Sequence, residues 1–336
     1  MMFRSGREVS SWVMRSICSL AVLGCGVLLG CSGSAPPPES SFRVALVTPG
    51  PISDAGWNAA AHAGLLRMAE ELDAEIYHLE ASTPAEFEEA FRDFASRRCD
   101  LVFGHGFEFQ DAAVEVARGY PETAFVVTSG RTVSDNVAGL VFRLEDAAYL
   151  AGVWAAKASR SGISAMVGGM DIPPVRLVFD GFRKGFTDTR PDGSVKEVYL
   201  GNWEDVAAAR QATVSLARQG VDIVIHNADA AGLGVFQACR ELQMMAFGTN
   251  ADQAQVAPDV VLASAVMDIP MAMVRVAEDV KNGEFQGRVY AFDLASGVVG
   301  LVANPQLEST VDASTRAAVD QARDAVIAGD VELEHF

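Results

Sequence analysis

Two tryptophans stand at positions where a chain would not ordinarily expose them. Trp57 lies in "SDAGWN", between Asp54 and Asn58, past the apolar run 44–47 and the break Thr48-Pro49-Gly50-Pro51. Trp203 lies in "GNWED", after a second β-rich run. An indole presents a large flat apolar face, and a nucleobase stacked on such a face is worth roughly 1–3 kcal/mol. Amides and carboxylates in similar turns, those of Asp54, Asn58, Asp171, Asn227 and Asn250, would fix the polar edges of a planar molecule. The "GHGFEF" turn adds Phe107 and His105, the latter as readable behind the contact surface as on it. Plainer roles exist for the same residues. Trp57 could cover a helix, Trp203 could pack at the surface, Asp54 could cap the helix starting near Gly56, and Asp252 reads as a helix cap. The five His are scattered, with no HExxH and no CxxC, so neither a metal nor a cofactor is expected.

The elements that must carry these residues alternate short β-branched runs with amphipathic stretches, which predicts an α/β fold with parallel sheets covered on both faces. "FRVALVT", "AEIYHLE", "DLVFGHG" and "AFVVTSG" read as strands separated by helical segments, one of them opened by the Thr83 cap. The order then repeats from "ISAMVGG" to "MMAFGTN", and "RRCDLVFGHG" answers "RQGVDIVIHN". Two similar lobes are expected, 42–143 plus 265–286 and 144–264 plus 287–336, with "VYAFDLASGVVGLV" read as a strand pair. Chain crossings near 142–143, 264–266 and 287–289 would form a hinge around a central cleft. In open parallel sheets ligands sit beyond the carboxyl ends of the strands, where both tryptophans fall.

The chain has 336 residues and a net charge of −18, which excludes nucleic acid as a partner because phosphates need a basic face. Residues 1–31 form a different regime: Arg4, Arg7 and Arg15 precede the apolar run "ICSLAVLGCGVLLGC". That run is shorter than the about 20 residues of a membrane span and fits a signal-peptide core. Met14 is an alternative start to Met1. "LLGC" resembles a bacterial lipobox, with Cys31 as the lipidated residue and Cys25 as its rival; a Pro/Ser tether, 32–41, follows Cys31. The reading is a cell-envelope protein, lipid-anchored to a membrane and facing the periplasm or exterior. Cys99 and Cys239 lie in different halves and read as buried thiols.

The segments "SDAGWN", "FGHGFEFQDAAVEVARGYPETAFVV", "RLEDAAYLAGVWAAKAS", "VGGMDIPPVRLVFDGFRKGF" and "GLGVFQAC" together resemble the basic membrane protein family. These are substrate-binding lipoproteins of ABC importers whose studied members bind purine nucleosides. The resemblance implies a type I periplasmic-binding-protein fold, a monomer, capture of a small ligand by hinge closure, and permease and ATPase subunits as partners. It assigns ligand contacts to Asp54, Trp57, Asn58 and Trp203. Three positions depart from the family's pattern. Thr128 stands where an Asp reads the base, Asn250 where an Asp holds the ribose, and Met267 where a Lys reaches the sugar. A charged hydrogen bond is worth roughly 1.5–3 kcal/mol, so these changes predict altered pocket chemistry and a ligand other than an ordinary purine nucleoside. Two other functions are open to such a chain: a ligand-sensing receptor for a membrane signalling protein, and a nucleoside-cleaving enzyme. The latter would need a carboxylate cluster with a metal or an activated base.

Overall fold

The structure is a computed structural model that describes residues 41–53 and 56–335. Cys31, the leader and Asp54 lie outside the described residues. The chain first lays down β1 (Arg43–Thr48), α1 (Trp57–Leu72), β2 (Glu75–Glu80), α2 (Pro84–Ser96), β3 (Leu101–His105), α3 (Gln110–Ala117), β4 (Ala124–Thr128) and β5 (Val137–Phe142). Then come α4 (Leu144–Ala158), β6 (Ile163–Gly168), α5 (Pro173–Thr189), β7 (Ser194–Tyr199) and α6 (Val206–Arg218). They are followed by β8 (Ile223–Asn227), α7 (Gly232–Leu242), β9 (Met245–Asn250) and β10 (Val261–Met267). Last are α8 (Ile269–Lys281), β11 (Val289–Phe292), β12 (Val299–Ala303) and α9 (Ala313–Ala328).

The strands form two six-stranded sheets, ordered β11-β5-β4-β3-β1-β2 and β12-β10-β9-β8-β6-β7. The first is parallel throughout, and in the second only β12 runs antiparallel, against β10. Strands buried on both faces should carry apolar side chains in an unbroken run, and β1 does so from Val44 to Val47. Val44 and Leu46 enter one core cluster, Ala45 and Val47 the cluster on the opposite face. In β6, Met166 likewise faces one cluster while Ala165 and Val167 face another. Helix α2 begins where its sequence predicts: the Thr83 hydroxyl accepts from the Glu86 amide, the Glu86 carboxylate accepts from the Thr83 amide at 3.0 Å, and Pro84 fits the first turn.

Helix α4 sits at the centre of the second lobe, with thirteen of its fifteen residues buried. Its close partner is α5. A methyl group at Gly181 or Gly185 of α5 would collide with the α4 carbonyls of Glu145 or Tyr149, so only glycine permits this approach of the two backbones.

The chain passes between the sheets at 142–144, 267–269 and 293–298. The third passage falls later than expected, and "VYAFDLASGVVGLV" is not a strand pair within one sheet. Val289–Phe292 pairs in parallel with β5, so this strand closes the edge of the first sheet before the chain crosses to β12. Asp252 caps a turn rather than a helix, accepting from the Ala254 amide at 3.0 Å. Cys99 and Cys239 are free and buried.

Candidate functional site

The carboxyl ends of both sheets open onto one cleft of about 430 Å³. From the first lobe it is lined by Pro49, Gly50, Trp57, Asn58, Phe107 and Ser129, and from the second by Met170, Trp203, Asn227, Asp229 and Asn250. Phe142, Leu144 and Met267, at two of the passages between sheets, form its floor; Phe142 and Met267 each pack against the cores of both lobes.

Trp57 is set by what lies beneath it. The His105 ring stacks on the indole, with centroids 4.1 Å apart and planes at 24°. His105 Nε2 lies 3.0 Å from the Trp57 carbonyl oxygen, which can only accept, so Nε2 carries the proton. In the neutral ring, Nδ1 is then the acceptor for the Thr128 hydroxyl at 2.9 Å. His105 and Thr128 are paired residues at the ends of β3 and β4, both fully buried, and neither lines the cleft. Thr128 thus supports the histidine under the tryptophan. Trp203 is placed differently: its indole fills the space over Gly169 that any side chain there would occupy, and its carbonyl accepts from the Ala231 amide at 2.9 Å.

Asn227, at the end of β8, lines the cleft although only 7 % exposed. Asn250 donates from Nδ2 to Asp229 Oδ1 at 3.0 Å. A carboxylate is therefore present beside position 250 even though 250 itself is an amide. Ser129, Asp229 and Asn250 all have left-handed backbones, with φ of 56°, 44° and 70°. Such conformations cost on the order of 1 kcal/mol each and cluster at functional sites. Asp171 is elsewhere. It is exposed and holds Arg176 through two hydrogen bonds of 2.5 and 2.8 Å, which depress its pKa, and it does not line the cleft.

Sequence reasoning passed over the other acids of the cleft, Glu108, Glu145, Glu204 and Asp229. Three of them sit in the strand-end turns "GHGFEF", "GNWED" and "HNADAAG", one or more residues beyond the positions singled out. Glu108 is pushed up in pKa by desolvation. Glu145, 3 % exposed in the first turn of α4, is pushed up to about 7 by burial, with its own amide and Arg143 pulling the other way. It stands 2.9 Å from His335 Nδ1, from the segment following α9.

Among the described residues no group of three or more His, Cys, Asp or Glu is arranged to hold a metal ion. What the cleft offers is two indoles, amides, carboxylates and an apolar floor, an arrangement suited to holding a molecule.

The model of the Bmp family, described as ABC transporter substrate-binding protein PnrA-like, matches residues 42–327. Basic membrane protein A2 of Borrelia garinii subsp. bavariensis is 28 % identical over 304 residues, covering 88 % of this chain and 89 % of that protein. The ABC transporter nucleoside-binding protein BmpA of Lactococcus lactis subsp. cremoris is 24 % identical over 91 % of this chain and 95 % of its own. In fold, the chain matches the crystal structure of a solute-binding protein of an ABC transporter system from Aeropyrum pernix K1. The TM-score is 0.78 at 23 % identity, with 87 % of this chain and 92 % of that one covered. Two lobes of parallel sheet with a cleft between their carboxyl ends are thus the fold of periplasmic solute-binding proteins. The chain belongs to the Bmp family of PnrA-like ABC transporter substrate-binding proteins.

Proposed function

We propose that this protein captures a small planar solute, nucleoside-like in shape, between its two lobes and delivers it to the permease and ATPase of an ABC importer. The observation that carries the reading is the cleft at the strand ends, with one indole supplied by each lobe. Trp57 and Trp203 stack on the two faces of the ligand, Asn58, Phe107, Asn227 and Asn250 hold its edges, and Asp54 is a further contact. The nucleoside-binding relative supports the shape class. Asn250 and Met267, which line the cleft, stand where the resemblance places charged anchors, so the pocket differs from an ordinary purine nucleoside site.

The lobes comprise residues 41–143 with 268–292, and 144–267 with 299–335, and they close about the three passages between the sheets. The protein acts as a monomer, exported by residues 1–31 and anchored through a lipid on Cys31. It performs no chemistry on its ligand.

The test is native mass spectrometry of the freshly purified mature protein to identify its co-purifying solute, then calorimetric titration of that solute into the mature protein and its Trp57→Ala variant, with adenosine, guanosine and inosine expected to bind the wild type more weakly. Binding that falls by about 1–3 kcal/mol in Trp57→Ala, and by less in Trp57→Phe, is expected. Equal affinity in Trp57→Ala and wild type would reduce the indole to packing and remove the basis of the reading.

A further inference from the structure

Resting on the reading of this cleft as the ligand site, we propose that it selects a planar solute carrying net positive charge and rejects phosphorylated or carboxylated ones. The acidic residues Glu108, Glu145, Glu204 and Asp229 line the cleft, and among the described residues that line it there is no Lys, Arg or His. The imbalance is local, and the net charge of −18 extends it over the whole molecule.

Helix amino ends facing a cleft ordinarily invite anions, because their unpaired amides and dipoles are positive. Four of those ends carry the chain's own acids, whereas α1 and α5, which also reach the cleft, have none in their first turn. Glu145 occupies the first turn of α4. Glu108 lies in the single 3-10 turn that leads into α3, and Asp229 in the one that leads into α7. Glu204 precedes Asp205, whose carboxylate caps α6 by accepting from the Ala208 amide at 2.8 Å. An anionic ligand would meet Glu108, Glu204 and Asp229, and no cationic side chain among the described residues that line the cleft.

A cation meets the opposite. The rings of Trp57, Phe107 and Trp203 line the same space, and aromatic faces attract cations. Asn250 holds Asp229 against the cleft wall, so the carboxylate is fixed before a ligand arrives. Asn227 is an independent pointer to a bound polar group: its side chain is more than nine-tenths buried, lines the cleft, and makes no hydrogen bond among the described residues. Met267, at the floor, adds no competing charge.

If the acids served only to cap helices, the ligand's charge would not matter. Two matched sets of probes separate these cases: adenosine, 1-methyladenosine (cationic at neutral pH) and adenosine 5′-monophosphate; and nicotinamide, 1-methylnicotinamide and nicotinate. Calorimetry at pH 7 and low salt should give, in whichever set binds, a cation at least about tenfold tighter than its neutral partner, and an anion at least about tenfold weaker. The double change Glu108→Gln with Asp229→Asn should bring the cation-to-neutral ratio to within about threefold, with melting temperature reporting that the fold is intact. A neutral or anionic probe binding as tightly as its cation, an unchanged ratio in the double variant, or no binding by either cation would overturn the inference. Adenosine binding that depends on Trp57 but shows no charge preference would overturn it and leave the capture of nucleosides standing. Binding confined to 1-methylnicotinamide would do the reverse.

Discussion

At the scale of single residues, the arrangement under Trp57 makes a specific demand. His105 both stacks on the indole and bonds its carbonyl, while Thr128 fixes the histidine, so His105 is a positioning residue. His105→Ala should weaken ligand binding by roughly tenfold, about 1.4 kcal/mol. In a Trp57→Ala background the same change should cost almost nothing further, because the two residues act as one unit. Full additivity of the two losses in a double-mutant cycle would assign His105 to the fold alone. Much of this site could be read in the sequence. Strand ends in parallel sheets point at ligands, and that rule alone brings Trp57, Asn58, Phe107, Trp203, Asn227 and Asn250 to the cleft wall, while Met267 is reached only through the family resemblance. It fails where side-chain direction decides. His105 and Thr128 sit at strand ends but turn toward each other beneath the indole, and Asp171 turns outward to Arg176. The cleft acids escaped because a glutamate in a polar turn carries no signal separating a cleft wall from a solvated surface.

At the scale of elements, α4 is the least legible piece of the chain and the one with the most consequence for stability. Its burial on all sides removes the 3.6-residue polar–apolar alternation by which α1, α2 and α6 announce themselves. The passage of Val289–Phe292 into the first sheet was equally hidden, since register and partner strand are not written in a four-residue run. Helix α4 also carries Glu145 into the interior beside Arg143, Asp146 and His335. Burial raises the Glu145 pKa from its ordinary 4.5 to about 7, so the folded state holds a proton that the unfolded state has lost. Between about pH 4.5 and 7 this group therefore makes stability fall as pH rises, and above 7 its cost is constant. His335, whose pKa is lowered by burial, works in the opposite direction as pH falls. Comparing Glu145→Gln with wild type isolates the carboxyl. The stability gained by the variant should grow from pH 4.5 to 7 and level off near 3 kcal/mol, as an order of magnitude. Denaturant unfolding at pH 5 and pH 8 measures it, and a gain independent of pH would show that the carboxyl is not desolvated.

At the scale of the whole molecule, two sheets with separate cores are joined by three short passages, and Phe142 and Met267 lie in the seam between the cores. On the proposed reading the groups that would hold the ligand are divided between the lobes, so a molecule bound by both indoles would hold the lobes together, and the energy of its contacts would shift an open–closed balance. Small-angle scattering of the mature protein, with and without a ligand shown by calorimetry to saturate it, measures this directly. The radius of gyration should fall on saturation, and the fall should disappear in Trp57→Ala at ligand concentrations that saturate only the wild type. An unchanged radius with the site fully occupied would contradict capture by closure between the two lobes.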